Sequence, residues 1–170
     1  LSFPDSILSA AREIRLLVTD VDGVWTDGYV TVHADGTESV RFSVQDGYGM
    51  VQLHRSGVEL VVLSGRDNPA VRHRATRLGV SEIHMGSLDK GPIMEKIVGS
   101  RGLTPSQVAT IGDDLPDLPM FERAGLRFAP ANAVPEVCAA ADWVTTCAGG
   151  NGALREVCDL LVLAQAKLTS

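Results

Sequence analysis

Four short stretches of the 170-residue chain hold the side chains best suited to chemistry. In "TDVDGVWTDG", residues 19–28, Asp20 and Asp22 flank one valine just after the apolar run "RLLVT", and Asp27 follows closely. "LSGR" ends a second apolar run and carries Ser64, Gly65 and Arg66; "LDKGP" carries Lys90; "GDDLPD" carries Asp113, Asp114 and Asp117. In an extended segment residues i and i+2 point to the same side, so Asp20 and Asp22 can face one reacting atom. One carboxylate of such a pair can attack as a nucleophile. The other can pass a proton to a leaving alcohol and then take one from water. Clustered carboxylates raise one another's pKa and cost stability. A hard divalent cation removes that conflict, and Mg2+ prefers oxygen ligands, takes one or two carboxylates and leaves room for a substrate phosphate. Asp113 is a candidate ligand for it. The other parts suit phosphoryl transfer, where catalysis is mostly positioning and charge neutralisation. Ser64 can donate its hydroxyl to a phosphoryl oxygen, Lys90 can supply a point charge, and Arg66 offers a planar fork for phosphate or carboxylate. Asp117 is expected to steady Lys90 or a metal-bound water. Asp114 either supports the site from behind or caps a helix. Asp27 reads as a turn former before Gly28, and Gly23 as the residue that lets the chain turn sharply.

These groups need a scaffold that brings distant segments together. The runs at 15–19, 58–63 and 107–111 are too short for buried helices and rich in β-branched residues. Weaker runs lie at 125–130 and 142–146. Helical patterns separate them: 49–57 stopping at Gly57, 68–79 with Asn68 as cap, Pro69 in the first turn and Gly79 as stop, and 90–102 with Ile93, Ile97 and Val98 on one face. Shorter patterns follow at 117–125 and 134–141, and a long one at 152–168. A lead-in helix near the N-terminus is expected to be capped by Asp5 or Ser6. The alternation predicts an α/β fold: a doubly wound, mostly parallel Rossmann-like sheet with helices on both faces. "YVTVHADGTESVRFSV", about 29–44, breaks the rhythm as a small β-hairpin insertion after strand 1, turning at Asp35-Gly36, with Tyr29, Thr31 and His33 on one side and Val30 and Val32 on the other. The whole chain, 1–170, reads as a single domain ending in a helix and tail at about 152–170. Ligands of such sheets bind beyond the carboxyl ends of the strands, which brings Asp20, Ser64 and Asp113 to one edge.

Bulk properties exclude other classes. Hydrophobic residues make up 45% of the chain, enough for a real core. The net charge is −6 and no Lys/Arg cluster appears, so no nucleic-acid partner is expected; "RHRATR" reads as a solvated helix face. No apolar run reaches the ~18 residues of a membrane span, and "LSFPDSILSAAREI" lacks a signal-peptide pattern. Cys138, Cys147 and Cys158 form no CxxC and are odd in number, as expected of free thiols in a reducing cytoplasm. The four histidines show no paired metal spacing, and Trp25 is expected either to pack or to shape the entrance.

Taken together, "DVDGVWTDG", "LSGR", "DK" and "GDDLPD" resemble the four motifs of the haloacid dehalogenase superfamily of phosphatases, in matching order along essentially the whole chain. "FSVQDGYGM" at 42–50 and "AGGNGALREVCDLLVLAQAKL" at 148–168 are similar to the capless branch that dephosphorylates 3-deoxy-D-manno-octulosonate 8-phosphate. "WTDG" at 25–28 instead resembles relatives acting on nine-carbon sialic-type acid 9-phosphates. The resemblance implies Asp20 as nucleophile, Asp22 as acid/base, and Mg2+ held by Asp20, the Asp22 carbonyl and Asp113. It implies Ser64 and Lys90 as phosphoryl ligands, and Gly65, Arg66 and Gly47, which fall inside the matching motifs, are counted with them as phosphate- or substrate-binding positions. The substrate would be a small anionic sugar-acid phosphate. A homotetramer is also implied, its hairpins forming a central barrel and the tail of one subunit reaching a neighbour's site. The branch often has Arg where this chain has Gln45 and Asn151, which bears on how the sugar is held. A phosphatase-like oligomerisation domain of a sugar-nucleotide synthetase is one alternative. A phosphorylated receiver domain is another, and Asp22 argues against it, since an acid/base would shorten the life of a phosphoryl mark.

Overall fold

In the computed structural model, which describes residues 3–166, the apolar runs become the strands that carry the site. β1 (Leu16–Thr19) is wholly buried. β2 (Thr31–Val32) and β3 (Glu38–Ser39) form the hairpin. β4 (Glu59–Ser64), β5 (Glu82–Met85), β6 (Val108–Ile111), β7 (Leu126–Ala129) and β8 (Trp143–Val144) complete a six-stranded sheet of order β5-β4-β1-β6-β7-β8. Every pairing in that sheet is parallel. The chain winds outward from β1 to β4 and β5, then restarts on the other side at β6. The switch point therefore lies between β1 and β6, where open α/β sheets bind ligands. Thr19 is in register with Ile111, so Asp20 and Asp113 leave the sheet side by side.

The helices are α1 (Asp5–Ala11), α2 (Val44–Arg55), α3 (Pro69–Arg77), α4 (Lys90–Ser100), α5 (Leu118–Phe121), α6 (Pro135–Ala140) and α7 (Ala153–Ala166). Period-two alternation sends strand side chains to two cores. Leu17, Val62, Ala109, Ile111 and Phe128 pack with Leu53 of α2 and Val157, Leu160 and Leu161 of α7. Leu16, Val18, Val61, Leu63 and Val108 pack with Met94 and Ile97 of α4 and Met120 of α5. Ile93 and Val98 cover the edge of that second core. The doubly wound reading is thus what the chain adopts, and none of the helices among the described residues is long and apolar enough to cross a membrane.

The structure corrects several local expectations. β5 has no counterpart among the apolar runs: "EIHM" is an edge strand of half-buried, mixed residues, with the sheet on one side only. α2 starts five residues earlier than its apolar pattern, because the Ser43 hydroxyl accepts from the Asp46 N–H at 3.2 Å and caps it. Two glycines hide its periodicity, and both are there for packing. A Cβ at Gly47 would lie 2.4 Å from Arg74, and one at Gly49 would lie 2.8 Å from Arg155. Pro4, not Asp5 or Ser6, occupies the N-cap of α1, with no side-chain cap. Asn68 does cap α3, accepting from Ala70 N–H at 2.9 Å. The hairpin turns at Asp35-Gly36, with Gly36 at φ +83°, but only two residues of each strand pair, and they are exposed. A two-stranded ribbon with no layer beneath it has little to hold it longer. The C-terminal helix is described as far as Ala166, and the rest of the expected stretch to 170 lies outside the described residues.

Candidate active site

A cleft of about 270 Å³ opens over the switch point, lined by Asp20, Asp22, Gly65, Arg66, Lys90, Asp113, Asp114 and Asp117, with Leu88 at its mouth. Residues from four separate loops thus meet as expected. Asp20 caps the carboxyl end of β1 and its N–H bonds the Ile111 carbonyl at 3.0 Å, which fixes its backbone to the neighbouring strand. Lys90, the first residue of α4, is buried between two carboxylates: its Nζ lies 2.6 Å from Asp20 Oδ1 and 2.5 Å from Asp117 Oδ1. Burial opposes the ammonium charge, but Asp20 and Asp117 outweigh it, and the Lys90 pKa is raised. The second oxygen of Asp117 accepts the N–H groups of Asp113 at 2.8 Å and Asp114 at 3.3 Å. Asp117 therefore steadies both Lys90 and the loop that presents Asp113. Asp114 caps the one-turn helix at 115–117, accepting from Leu115 N–H at 2.7 Å, while still lining the cleft.

Carboxylate oxygens of Asp20, Asp113 and Asp117 lie within 4.8 Å of one another. Their crowding carries a visible cost. Burial, then Asp117, pushes the Asp20 pKa up to about 7, and burial, then Asp20, Asp117 and Asp114, pushes Asp113 up to about 8. Hard, anionic oxygen donors with unbalanced charge are the donor set that Mg2+ favours. Asp20, Asp113 and Asp117 could each offer an oxygen to such a cation; Asp117 is the most committed elsewhere, to Lys90 and two backbone N–H groups.

The turn after Asp22 runs through Gly23, as expected, and is held by Thr26 and Asn132, which had not been singled out. Gly23 has φ +84°, and a Cβ there would sit 1.9 Å from Asp113 Oδ2, so only glycine lets the acidic loops approach. Thr26 is buried and its hydroxyl accepts the N–H groups of Gly23 and Gly28, each at 3.2 Å. Asn132, in the loop after β7, donates to the Gly23 carbonyl at 3.0 Å and accepts from Gly149 N–H at 2.6 Å. Gly150 N–H donates to the Val24 carbonyl at 2.9 Å. "AGGNG" thus braces its own chain's turn, and a Cβ at Gly149 would lie 1.8 Å from the Gly23 carbonyl oxygen. Trp25 is buried; its indole N–H donates to Thr19 Oγ1 at 3.1 Å, and that hydroxyl donates to the Asp20 carbonyl at 2.6 Å. "WTDG" carried this signal in part, as a turn rich in hydrogen-bonding residues; Asn132 carried none.

Other expected residues fall further out. Ser64 is buried at the end of β4, its Oγ accepting the Arg66 N–H at 3.3 Å, and it is not among the residues lining the cleft. Gly47 is not there either: it lies in α2 against Arg74 and Leu78. Its neighbour Asp46 caps α7, accepting from Arg155 N–H at 2.8 Å and Gly152 N–H at 3.3 Å. "QDGYG" therefore joins two helices rather than entering this cleft. Asp27 accepts Tyr29 N–H at 3.2 Å and pairs with Arg41 at 2.7 Å, the structural role expected. Gln45 lies in α2, and Asn151 lies beside a second cavity that Asp27, Tyr29 and Arg41 also line.

Two aspartates just past the end of the first strand, a buried lysine and an aspartate from the loop after β6, on a doubly wound parallel sheet, are the arrangement of a phosphoryl-transfer hydrolase. Residues 68–157 match the haloacid dehalogenase-like hydrolase family. The chain is 41% identical over 162 residues to the 3-deoxy-D-manno-octulosonate 8-phosphate phosphatase KdsC of Escherichia coli, covering 95% of this chain and 86% of the relative. It is similar to the structure of the corresponding phosphatase of Moraxella catarrhalis in complex with magnesium, phosphate and KDO, with a TM-score of 0.93, 39% identity and coverage of 98% of this chain and 96% of that one. The cobalt-bound phosphatase of Haemophilus influenzae gives a TM-score of 0.88 at 40% identity, with coverage of 93% and 92%. The chain belongs to the haloacid dehalogenase-like hydrolases and, within them, to the 3-deoxy-D-manno-octulosonate 8-phosphate phosphatase family.

Proposed function

We propose that this chain hydrolyses 3-deoxy-D-manno-octulosonate 8-phosphate to the free sugar acid and phosphate. The observation that carries the reading is the Asp20–Lys90–Asp117 arrangement beside Asp113 at the floor of a cleft whose rim holds Asp22 and Arg66. Mg2+, when bound, would be held by Asp20, Asp113 and the Asp22 carbonyl and would supply charge neutralisation for a phosphoryl group. Asp20 attacks phosphorus, and the bond to the sugar oxygen breaks as Asp22 delivers a proton to it. Asp22, now a carboxylate, takes a proton from water, which attacks the aspartyl-phosphate and restores Asp20. Lys90 holds Asp20 in place and faces the phosphoryl oxygens, Gly65 borders the position they take, and Ser64 stands behind it, accepting the Arg66 N–H. Asp117 keeps Lys90 and Asp113 aimed. Arg66 stands where the sugar leaves the phosphate pocket.

The active assembly is a homotetramer in the cytoplasm. The exposed Tyr29 and Val32 on a hairpin with no layer beneath it support the first point, and three free thiols the second. Sedimentation of the purified protein tests the assembly, and a monomer would overturn it. A phosphate-release assay with Mg2+ on the eight-carbon substrate, a nine-carbon sialic-type acid 9-phosphate and glucose 6-phosphate tests the activity. Preference for the eight-carbon substrate, lost on chelation, is expected. Preference for the nine-carbon compound assigns the activity to that sugar instead, and no turnover at all favours a domain kept for assembly.

A further inference from the structure

Arg66 has two partners, and they come from different parts of the molecule. Its Nη1 lies 3.1 Å from Asp22 Oδ1, on the loop after β1, and its Nη2 lies 2.5 Å from Glu38 Oε2, on β3 of the hairpin. The guanidinium is planar and holds its donors in a fixed fork, so two acceptors on opposite sides fix both its place and its tilt. We propose that Glu38 is a positioning residue: by holding one arm of Arg66, it keeps the guanidinium spread across the rim of the cleft instead of folded onto Asp22. This rests on the phosphatase reading above and extends it to the hairpin.

The physical argument is one of alternatives. Without Glu38, Arg66 has Asp22 as its remaining carboxylate partner in the cleft, and a two-pronged pair with it is the geometry that guanidinium and carboxylate prefer. That pairing withdraws the cation from the position where it meets the sugar. The hairpin strands are exposed, so the Glu38 contact is not a by-product of core packing. β2 and β3 pair through Thr31–Ser39 and Val32–Glu38, which sets the side of the ribbon from which Glu38 leaves. The carboxylate therefore reaches Arg66 only while the hairpin holds its register.

The test compares wild type, Glu38→Gln, Arg66→Ala and the double variant, each with two substrates: the eight-carbon sugar-acid phosphate and p-nitrophenyl phosphate, which carries no sugar to meet Arg66. Glu38→Gln keeps the side chain's length and removes its charge. The expected result is a roughly fivefold loss of kcat/KM on the sugar-acid phosphate, the size a half-exposed ion pair can supply, with p-nitrophenyl phosphate turnover unchanged. In the Arg66→Ala background the Glu38→Gln change should have no further effect. Equal losses on both substrates, or a Glu38→Gln loss that persists without Arg66, would overturn the proposal and mark a general effect on the hairpin. An unaffected Glu38→Gln variant would also overturn it, while leaving the phosphatase reading intact, since wild-type turnover measures that separately.

Discussion

Two carboxylate–cation–carboxylate triads meet at this cleft, and they differ in almost every physical respect. Asp20–Lys90–Asp117 is buried, with side-chain exposures of 8%, 3% and 2%. Asp22–Arg66–Glu38 sits at the rim, with exposures of 30%, 38% and 44%. The inner triad is assembled by the ends of β1, α4 and the β6 loop, all anchored in the sheet and its two cores. The outer one joins two loops and a ribbon of two-residue strands. Ions taken out of water need full compensation, so the inner triad tolerates no loss of a partner. Ions at a surface trade protein partners for water at little cost, so the outer triad can open for a substrate. On the proposed reading the attacking group lies in the first triad, and the acid/base and the sugar-facing guanidinium lie in the second.

Removing the attacking group gives the largest contrast. Asp20→Asn should lower kcat by at least about 10⁴-fold, while urea melts stay cooperative; residual turnover close to wild type in a clean preparation would sink the nucleophile assignment. Lys90→Met comes next, because it strands two buried carboxylates. Equilibrium unfolding should show a loss of about 3–5 kcal/mol, and a loss under about 1 kcal/mol would mean that the inner triad is far wetter than its burial indicates. The third effect is a linkage between pH and Mg2+. Asp20 and Asp113 have folded-state pKa values raised from 3.8 to about 7 and about 8. The metal-free folded state therefore binds more protons than the unfolded chain between about pH 4 and pH 8, and stability falls as pH rises through that window. Mg2+ binding displaces those protons, so the rise in Tm it causes should be larger, by a few degrees, near pH 8 than near pH 5. A rise that shrinks with pH would contradict the ligand set. The smallest effect belongs to the rim: Arg66→Lys, which loses the fork but keeps the charge, should leave stability within about 0.5 kcal/mol of wild type and raise KM for the sugar-acid phosphate more than it lowers kcat.

The parts of this site that could be read from the chain are those with strong local signals. Asp20, Lys90 and Asp113 each follow a recognisable strand or open a recognisable helix, and a parallel sheet sends all strand ends to one edge. Asp117 of "GDDLPD" is expected to steady Lys90 or a metal-bound water, and its Oδ1 lies 2.5 Å from Lys90 Nζ. β5 went unseen because an edge strand needs no apolar run, and the start of α2 because Gly47 and Gly49 answer to Arg74 and Arg155 rather than to helix propensity. Asn132, 109 residues from Gly23, joins the same turn through backbone groups that leave no trace in residue type. Gly149 is a close backbone contact under the acidic turn, which its place in a glycine-rich stretch does not reveal.

By itself the sequence determined the alternation of strands and helices, hence a parallel sheet, and the acidic and cationic residues at its strand ends, hence the class of reaction. These follow from hydrophobic period and chain direction, which are local. Only the tertiary structure decided which oxygen faces which cation, that Glu38 on a remote ribbon shares Arg66 with Asp22, and that two glycines 126 positions apart, Gly23 and Gly149, must touch. Those are contacts between segments distant in the chain, and their geometry is set by how the layers pack, which no single stretch of residues encodes.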